Sequence, residues 1–264
     1  MARASIDTAP TAPWPWAAGG ALAGALVALV AFLPAAWLAG RVEAATAGQV
    51  QLADPRGTVW AGSAQLVLTG GRGSRDAAAL PTRLQWHLRP GLSGLHMALS
   101  SSCCMPQPMS LLLRPGLGSF SVDLADGQTR WPAALLAGLG TPWNTLQLDG
   151  DLQLRTQRLS IRWAQGRTAV TGNADLLARD LASRLATVRP MGSYRLDLAG
   201  GAVPTLRLAT TEGPLQLSGS GQWVGSRLHF SGEASAAPDR EAALSNLRNI
   251  IGRRNGPRSV ITIG

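Results

Sequence analysis

Several residue types are scarce in this chain, and each scarcity excludes some classes of protein. Lysine is absent, so all 24 basic residues are arginine; with 15 acidic residues, the formal net charge is +9. The only cysteines, Cys103 and Cys104, are adjacent, which is too few for a disulfide framework or a four-ligand zinc site. In an oxidising compartment the pair could close a vicinal disulfide or bond between chains, and two free thiols are the alternative.

Aromatic residues other than tryptophan are also rare. The chain has nine Trp against three Phe and one Tyr, while 31 Gly and 17 Pro supply many turn positions. This mixture favours many short strands over long helices. A hydrophobic content of 45% over 264 residues excludes global disorder and is sufficient for a packed core.

Sequence patterns of catalysis and ligand binding are missing. Gly219-Ser220-Gly221 has the wrong spacing for a nucleophile elbow and is interpreted as a turn, while Asp149 and Asp151 lie on a polar strand face. No histidine has a carboxylate or second histidine at ligand spacing. We therefore expect no catalytic residues, no metal site, no cofactor and no small-molecule substrate. The three histidines are His87, His96 and His229.

The arginines are spread singly rather than in runs. Arg155, Arg158, Arg162 and Arg167 alternate with apolar positions, as residues on the solvated face of a strand do. This pattern argues against nucleic-acid binding. Anionic lipid headgroups or an acidic partner protein are the alternative explanations of the positive charge.

An uncharged apolar segment lies near the N-terminus. Residues 16–39 exceed the roughly 20 residues that a helix needs to cross a bilayer, tryptophans lie near both ends, and Arg41 ends the run. We predict a transmembrane helix over 16–39, a short tail over 1–15 and a β-rich body over 41–264. The alternative is a signal peptide cleaved near Ala45-Thr46-Ala47, but the run is longer than the roughly 7–15 residues of such a signal.

Beyond residue 41 the chain alternates apolar and polar residues in short segments, which predicts antiparallel strands. The clearest segment covers 145–155, and Gln165-Gly166 predicts a tight turn between strands. Helices are predicted over 131–139, over 174–188 from leucines at every fourth position, and after Pro238-Asp239 up to Gly252. Only 70–81 is predicted as a flexible loop. The expected fold is mainly β, with one N-terminal transmembrane helix followed by a curled antiparallel sheet and two or three short helices.

Four segments of the chain form a recognisable series. They are Gly57-Thr58-Val59-Trp60-Ala61-Gly62-Ser63-Ala64, Trp86-His87-Leu88-Arg89-Pro90, Pro190-Met191-Gly192-Ser193-Tyr194-Arg195-Leu196 and 243–254. In this order they resemble the type II secretion system protein N family, also called general secretion pathway protein N, and the similarity covers nearly the whole chain. The motif positions, which we interpret as structural, are Gly57, Thr58, Trp60, Gly62, Gly192, Tyr194, Gly252 and Arg253.

The resemblance implies an accessory, non-enzymatic part of a Gram-negative machine that exports folded proteins across the outer membrane. It implies an anchor in the inner membrane, which makes 1–15 a short cytoplasmic tail and puts the C-terminal body in the periplasm. It also implies contacts with other secretion components and inner-membrane lipids. The alternative is a membrane-anchored lipid-binding or lipid-transfer protein, because a curled sheet with one apolar face can hold acyl chains. Trp60, Trp86, Trp163 and Trp223 would then line a groove instead of packing in the core.

Overall fold

The computed structural model describes residues 14–225 and 227–264, and strand residues make up 57% of the protein. The predicted fold class is confirmed: the chain is mainly β, with an apolar N-terminal helix and a few short helices. The predicted tail over 1–15 lies outside the described residues except for its last two positions. The helices are α1 (Trp14–Ala31), α2 (Ala35–Ala45), α3 (Trp143–Leu146) and α4 (Glu241–Ile251), with 3₁₀ segments at Ala133–Leu139 and Pro238–Arg240.

The described strands form a single antiparallel sheet whose order almost follows the chain. The sheet runs from β1 to β6, then from β8 to β13, and ends with β15 and β14; β7 pairs with the first half of β8. The strands are β1 (Val50–Gly57), β2 (Ala61–Thr69), β3 (Ala77–Gly91), β4 (Gly94–Ser100), β5 (Met109–Gly116), β6 (Ser119–Leu124), β7 (Gly127–Pro132), β8 (Leu148–Ala164), β9 (Arg167–Ser183), β10 (Gly192–Ala199), β11 (Thr205–Glu212), β12 (Leu215–Val224), β13 (Arg227–Ala236), β14 (Arg253–Asn255) and β15 (Arg258–Ile263).

The sheet has two different faces because apolar and polar residues alternate along its strands. Apolar side chains cluster on one face, the inner face, and α2, α3, α4 and the 3₁₀ segment at Ala133–Leu139 contribute to the same buried clusters. Leu244 and Leu247 of α4, 0% and 2% exposed, pack there with Leu152, Tyr194 and Leu215. The other face, the outer face, carries the polar and charged residues of the alternation.

The two ends of the strands also differ. At one edge, which we call the hairpin edge, short turns join β1 to β2, β3 to β4, β5 to β6, β8 to β9, β10 to β11 and β12 to β13. At the opposite edge, the covered edge, the connections lead from each hairpin to the next; most are longer and include α3, α4 and both 3₁₀ segments, while only two residues join β11 to β12. The predicted turn at Gln165-Gly166 is confirmed as the tip of the β8–β9 hairpin, with both residues at positive φ.

The apolar segment 16–39 is divided between two helices. α1 ends at Ala31, and α2 begins immediately after Pro34, which has no backbone N–H to continue a helix. Ala35 of α2 is 0% exposed and packs with Ala64 and Trp86, so residues 35–39 cover the sheet. The apolar helix is therefore α1, whose 18 residues span about 27 Å.

The predicted helix over 174–188 is wrong, because β9 continues to Ser183. Asp180 has φ +50 at an irregularity in the register between β8 and β9. Such a β-bulge inserts one residue into a strand, so the buried Ala178 and Leu181 are three positions apart on one face. Leu181 therefore lies on the same face as Leu176 and Ala178, and Leu177, the first leucine of the predicted helical repeat, lies on the opposite face.

Four other local predictions are tested by the structure. The helix predicted after Pro238-Asp239 is confirmed as α4, and the helix over 131–139 is present only from Ala133, as a 3₁₀ segment. The loop predicted over 70–81 ends at residue 76, where β3 begins. The turn predicted at Gly219-Ser220-Gly221 is wrong: these residues lie inside β12, where the Phe230 ring lies against the glycine backbone.

Candidate functional site

The end of α1 is bonded directly to the β1–β2 hairpin. The indole N–H of Trp60 donates to the carbonyl of Val30 at 2.8 Å, and the backbone N–H of Val59 donates to the carbonyl of Leu33 at 2.9 Å. Pro34 and Thr58 form an isolated antiparallel bridge. We call these residues, Val30, Leu33, Pro34 and Thr58 to Trp60, the helix–sheet junction.

The sequence explains why the carbonyl of Val30 can accept a hydrogen bond from Trp60. In an α-helix the carbonyl of Val30 would accept from the N–H of residue 34, which is a proline and has none. At the end of α1, the N–H of Leu33 reaches this carbonyl at a long 3.4 Å, so the carbonyl can accept a second and shorter bond. Trp60 supplies this bond from 30 residues away.

A second tryptophan supports the junction from its buried side. Trp86 on β3 is 1% exposed, and its indole N–H donates to the carbonyl of Val59 at 3.0 Å. It packs with Ala35 at the start of α2 and with Ala64 on β2. Trp60 and Trp86 therefore hold the same short turn, one from its exposed side and one from its buried side.

Two motif glycines make this turn possible. Gly57 has φ +86, and a Cβ on it would lie 2.5 Å from the carbonyl oxygen of Ala61. A Cβ on Gly62 would lie 2.6 Å from the Trp86 ring and 2.7 Å from the carbonyl oxygen of Arg56. Thr58 closes the turn, because its backbone N–H donates to the carbonyl of Ala61 and its hydroxyl accepts from the N–H of Ala61.

An arginine braces this hairpin on its outer side. Arg83 on β3 donates to the Asp54 carboxylate at 2.9 Å and to the Asp54 backbone carbonyl at 2.6 Å. Asp54 has φ +47 at a bulge in β1, and Arg56 also pairs with it at 2.8 Å. Hydrogen bonds from Arg56 and then from Arg83 hold the pKa of the Asp54 carboxyl below its ordinary value.

The remaining motif residues lie far from the junction. Tyr194 is 5% exposed in the core cluster under α4, and its hydroxyl donates to the carbonyl of Leu215 at 3.2 Å. Burial raises the pKa of this phenol above its ordinary value. Gly192 lies beside the Tyr194 ring, with room for no side chain between them.

The last motif pair marks the boundary between α4 and the final strands. Gly252 follows α4, and a Cβ on it would lie 2.6 Å from the carbonyl oxygen of Val260. Arg253 opens β14, pairs with Val260 and is exposed. The structure thus brings Gly57, Thr58, Trp60 and Gly62 together and places the other four motif residues toward the covered edge.

The described residues do not converge on a reaction centre. His87, His96 and His229 are exposed, and the structure joins Cys103 to Cys104 in a disulfide. Among residues 14–225 and 227–264, no group of three or more His, Cys, Asp or Glu side chains is placed to hold a metal ion. Trp86, considered as a possible groove residue, lies in the core instead.

Comparison with known proteins gives one match. A family model described as "Type II secretion system (T2SS), protein N" matches residues 48–261. No curated protein and no solved structure matches the chain. The matched region runs from just before β1 into β15 and contains all eight motif positions.

Proposed function

This chain belongs to the type II secretion system protein N family, and we propose that it is an accessory subunit of that system, held in the inner membrane by α1 and acting through protein contacts in the periplasm. The family consists of secretion-system components and is not an enzyme family. We assign no catalytic role, and we assign the eight motif residues to structure. The observation that carries the proposal is the helix–sheet junction, which joins an exposed apolar helix to the family domain.

Exposure supports the assignment of α1 as the anchor. Its 18 residues have a mean hydropathy of 1.5, and none of them is buried against the rest of the protein. A helix that is apolar all round and uncovered needs a membrane or a partner to remove its surface from water. The described residues contain one such helix.

Packing of α2 supports retention of the anchor rather than its cleavage. A cut near Ala45-Thr46-Ala47 would remove α2, whose Ala35 is 0% exposed and whose Leu38 packs against the same cluster as Leu52. It would also remove both carbonyls that the junction uses. Intact mass of the purified protein tests this: we expect the full chain, and a product beginning near residue 48 would contradict retention.

The periplasmic position of the body rests on the family, whose system moves folded proteins across the outer membrane. The Cys103–Cys104 disulfide is compatible with this oxidising compartment. Cys104 is buried beside Leu80 and Leu135, while Cys103 is exposed.

Both ends of the sheet are poorly suited to adding a partner's strand. β1 contains Pro55 and the bulge at Asp54, and β14 has three residues, two of them arginine. Prolines, bulges, charges and short strands are the features that block edge pairing. We therefore propose that partners contact the outer face, which is polar and exposed along β12 and β13.

Photo-crosslinking distinguishes the two surfaces. A crosslinkable residue at Ser220, exposed on the outer face of β12, is expected to capture another secretion component in intact cells, whereas one at Gln51 on β1 is not. Capture from Gln51 alone would favour edge pairing. Capture of no secretion component from either position, nor after mild crosslinking and affinity isolation, would contradict the subunit proposal.

One observation favours a second candidate function, the binding of lipid acyl chains. Toward the hairpin edge, the inner face carries Leu95, Met97, Leu113, Val122 and Ile161, which are only half-buried and lie outside the three core clusters. Stoichiometric lipid in the isolated protein, without secretion components, would favour this function over the subunit proposal.

A further inference from the structure

The hairpin edge and the end of α1 lie together. The β1–β2 turn is the first of the six hairpin tips, and it is the turn that binds the carbonyls of Val30 and Leu33. Antiparallel order places the other tips along the same edge of the sheet. Because α1 leaves from this edge and is exposed along its whole length, the tips next to the junction lie on the side from which the helix departs.

Several of these tips present aliphatic side chains to solvent. Leu92, between β3 and β4, and Leu117, between β5 and β6, are 111% and 106% exposed. Val203 and Val224, at the tips of the next two hairpins after β8–β9, are 52% and 57% exposed. Contact between these apolar side chains and water is unfavourable, and a partner or a membrane that covered them would remove this cost.

Two aromatic rings lie close to the same edge. Phe120 on β6 and Trp163 on β8 face each other across the pair of strands, with ring centroids 6.0 Å apart, and each is 41% exposed. Tryptophan is enriched where a protein meets the headgroup region of a bilayer, and here the Phe120 ring stacks beside Trp163.

At the five tips beyond the junction, the charges have a single sign. Segments 88–96, 113–120, 161–170, 199–206 and 222–229, which form the five tips beyond the junction, contain five arginines and none of the 15 acidic residues. Of these five arginines, only Arg114 takes part in an ion pair among those described, with Asp123 at 2.5 Å. The arginines are Arg89, Arg114, Arg162, Arg167 and Arg227.

We propose that the hairpin edge is a membrane-docking surface for the anionic leaflet from which α1 emerges. This proposal rests on the proposed function, because it requires α1 to span that membrane. Leu92 and Leu117, nearest the junction, enter the headgroup region, and the arginines bind lipid phosphates. The anchor holds the tips at high effective concentration beside the bilayer, so weak individual contacts suffice.

The experiment uses the full chain in vesicles of phosphatidylethanolamine and phosphatidylglycerol. An environment-sensitive fluorophore is attached to a single introduced cysteine, with the Cys103–Cys104 disulfide left oxidised, and lipids carrying a nitroxide at the headgroup or in the chain quench it. The reporters are Leu92→Cys and Leu117→Cys. Ser74→Cys, in the loop before β3 at the covered edge, is the distant control, and Val27→Cys in α1 reports the anchor.

We expect headgroup nitroxides to quench the labels at residues 92 and 117 several-fold more than the label at residue 74, with chain nitroxides quenching residue 27. If residue 27 is quenched while residues 92 and 117 behave like residue 74, the docking proposal is overturned and the anchor stands. If residue 27 is not quenched, the anchor is overturned, and the docking proposal with it.

The contribution of the arginines to membrane docking is tested with two matched triple variants. Replacing Arg89, Arg167 and Arg227 together by Gln is expected to reduce quenching at residue 92, whereas replacing Arg155, Arg179 and Arg184 by Gln removes the same charge elsewhere and is expected to leave it unchanged. All six side chains are exposed. Equal effects of the two triple variants would overturn a role for the arginines at this edge.

Discussion

The covered edge and the hairpin edge belong to the same strands but are built in different ways. At the covered edge, helices bury the apolar face, and Leu80 and Leu244 are 0% exposed. At the hairpin edge, turns of a few residues leave Leu92 and Leu117 in solvent. Strand alternation therefore supplies an apolar face along the whole sheet, while the connections between hairpins decide where that face becomes a core.

The charges follow the same division. Beyond the junction, the hairpin tips contain arginines but no acidic residue. The covered edge carries both signs in its connections and strand ends, including Asp76, Asp149, Arg184, Arg189 and Arg253. A charge of a single sign is therefore confined to the hairpin tips, which suits an anionic surface on that side.

The largest expected difference between the edges is in stability. Leu244→Ala should lower the free energy of unfolding by about 3 kcal/mol, because it opens a cavity beside Leu152 and Leu215. Leu92→Ala deletes the same side-chain atoms, but these atoms are exposed to solvent, so the free energy of unfolding should change by less than about 0.5 kcal/mol. Denaturant unfolding of both variants measures these changes, and similar losses of stability would show that the two edges do not differ in packing.

The junction lies at the hairpin edge but is packed as tightly as the core. Gly62→Ala should cost about 2 kcal/mol, because the new Cβ meets the Trp86 ring and two backbone carbonyls. Gly127→Ala is the matched control, since its Cβ would approach nothing closer than 3.9 Å. An unchanged melting temperature for Gly62→Ala would show that the hairpin adapts and that close packing is not required there.

Trp60 tests the link between α1 and the sheet. Trp60→Phe keeps an aromatic ring but removes the bond to Val30, and should cost about 1 kcal/mol. Spin labels on α1 and on the sheet should show a broader distance distribution in this variant. The structural assignment would be wrong if Trp60→Ala left the melting temperature unchanged and abolished export.

The smallest change in stability at neutral pH is expected for Tyr194→Phe, and this variant has a specific effect in alkaline solution. The folded pKa of Tyr194 is raised, so the unfolded chain loses the phenol proton first, and stability should fall as pH rises above about 10, by up to about 1.4 kcal/mol per pH unit. Tyr194→Phe should lack this added loss. Since it is the only tyrosine, its ultraviolet titration is unambiguous, and ionisation at the ordinary pKa in the folded protein would contradict its burial.

Much of the sheet could be predicted because alternation is a local property. It identifies the strands of the second half and the turn at Gln165-Gly166. It fails over 174–188, where a bulge at Asp180 changes the spacing of buried residues from two to three. It also misplaces the loop before β3, where the exposed Pro81 lies within a strand next to the buried Leu80.

The junction could be predicted only in part. The motif gives Gly57, Thr58, Trp60 and Gly62, but nothing local indicates that Trp60 binds a residue 30 positions earlier. One available signal was missed: Pro34, four residues after Val30, leaves the Val30 carbonyl without its helical donor. The same proline explains why segment 16–39 is not a single helix.

The most direct test of the account is the side of the membrane on which the covered edge lies. Ser74→Cys places a thiol in the exposed loop before β3, and spheroplasts can be treated with a membrane-impermeant maleimide before and after permeabilisation. The unmodified chain, with its cysteines joined, is the control. The account predicts full labelling of residue 74 in intact spheroplasts; labelling only after permeabilisation would place the sheet in the cytoplasm and contradict it.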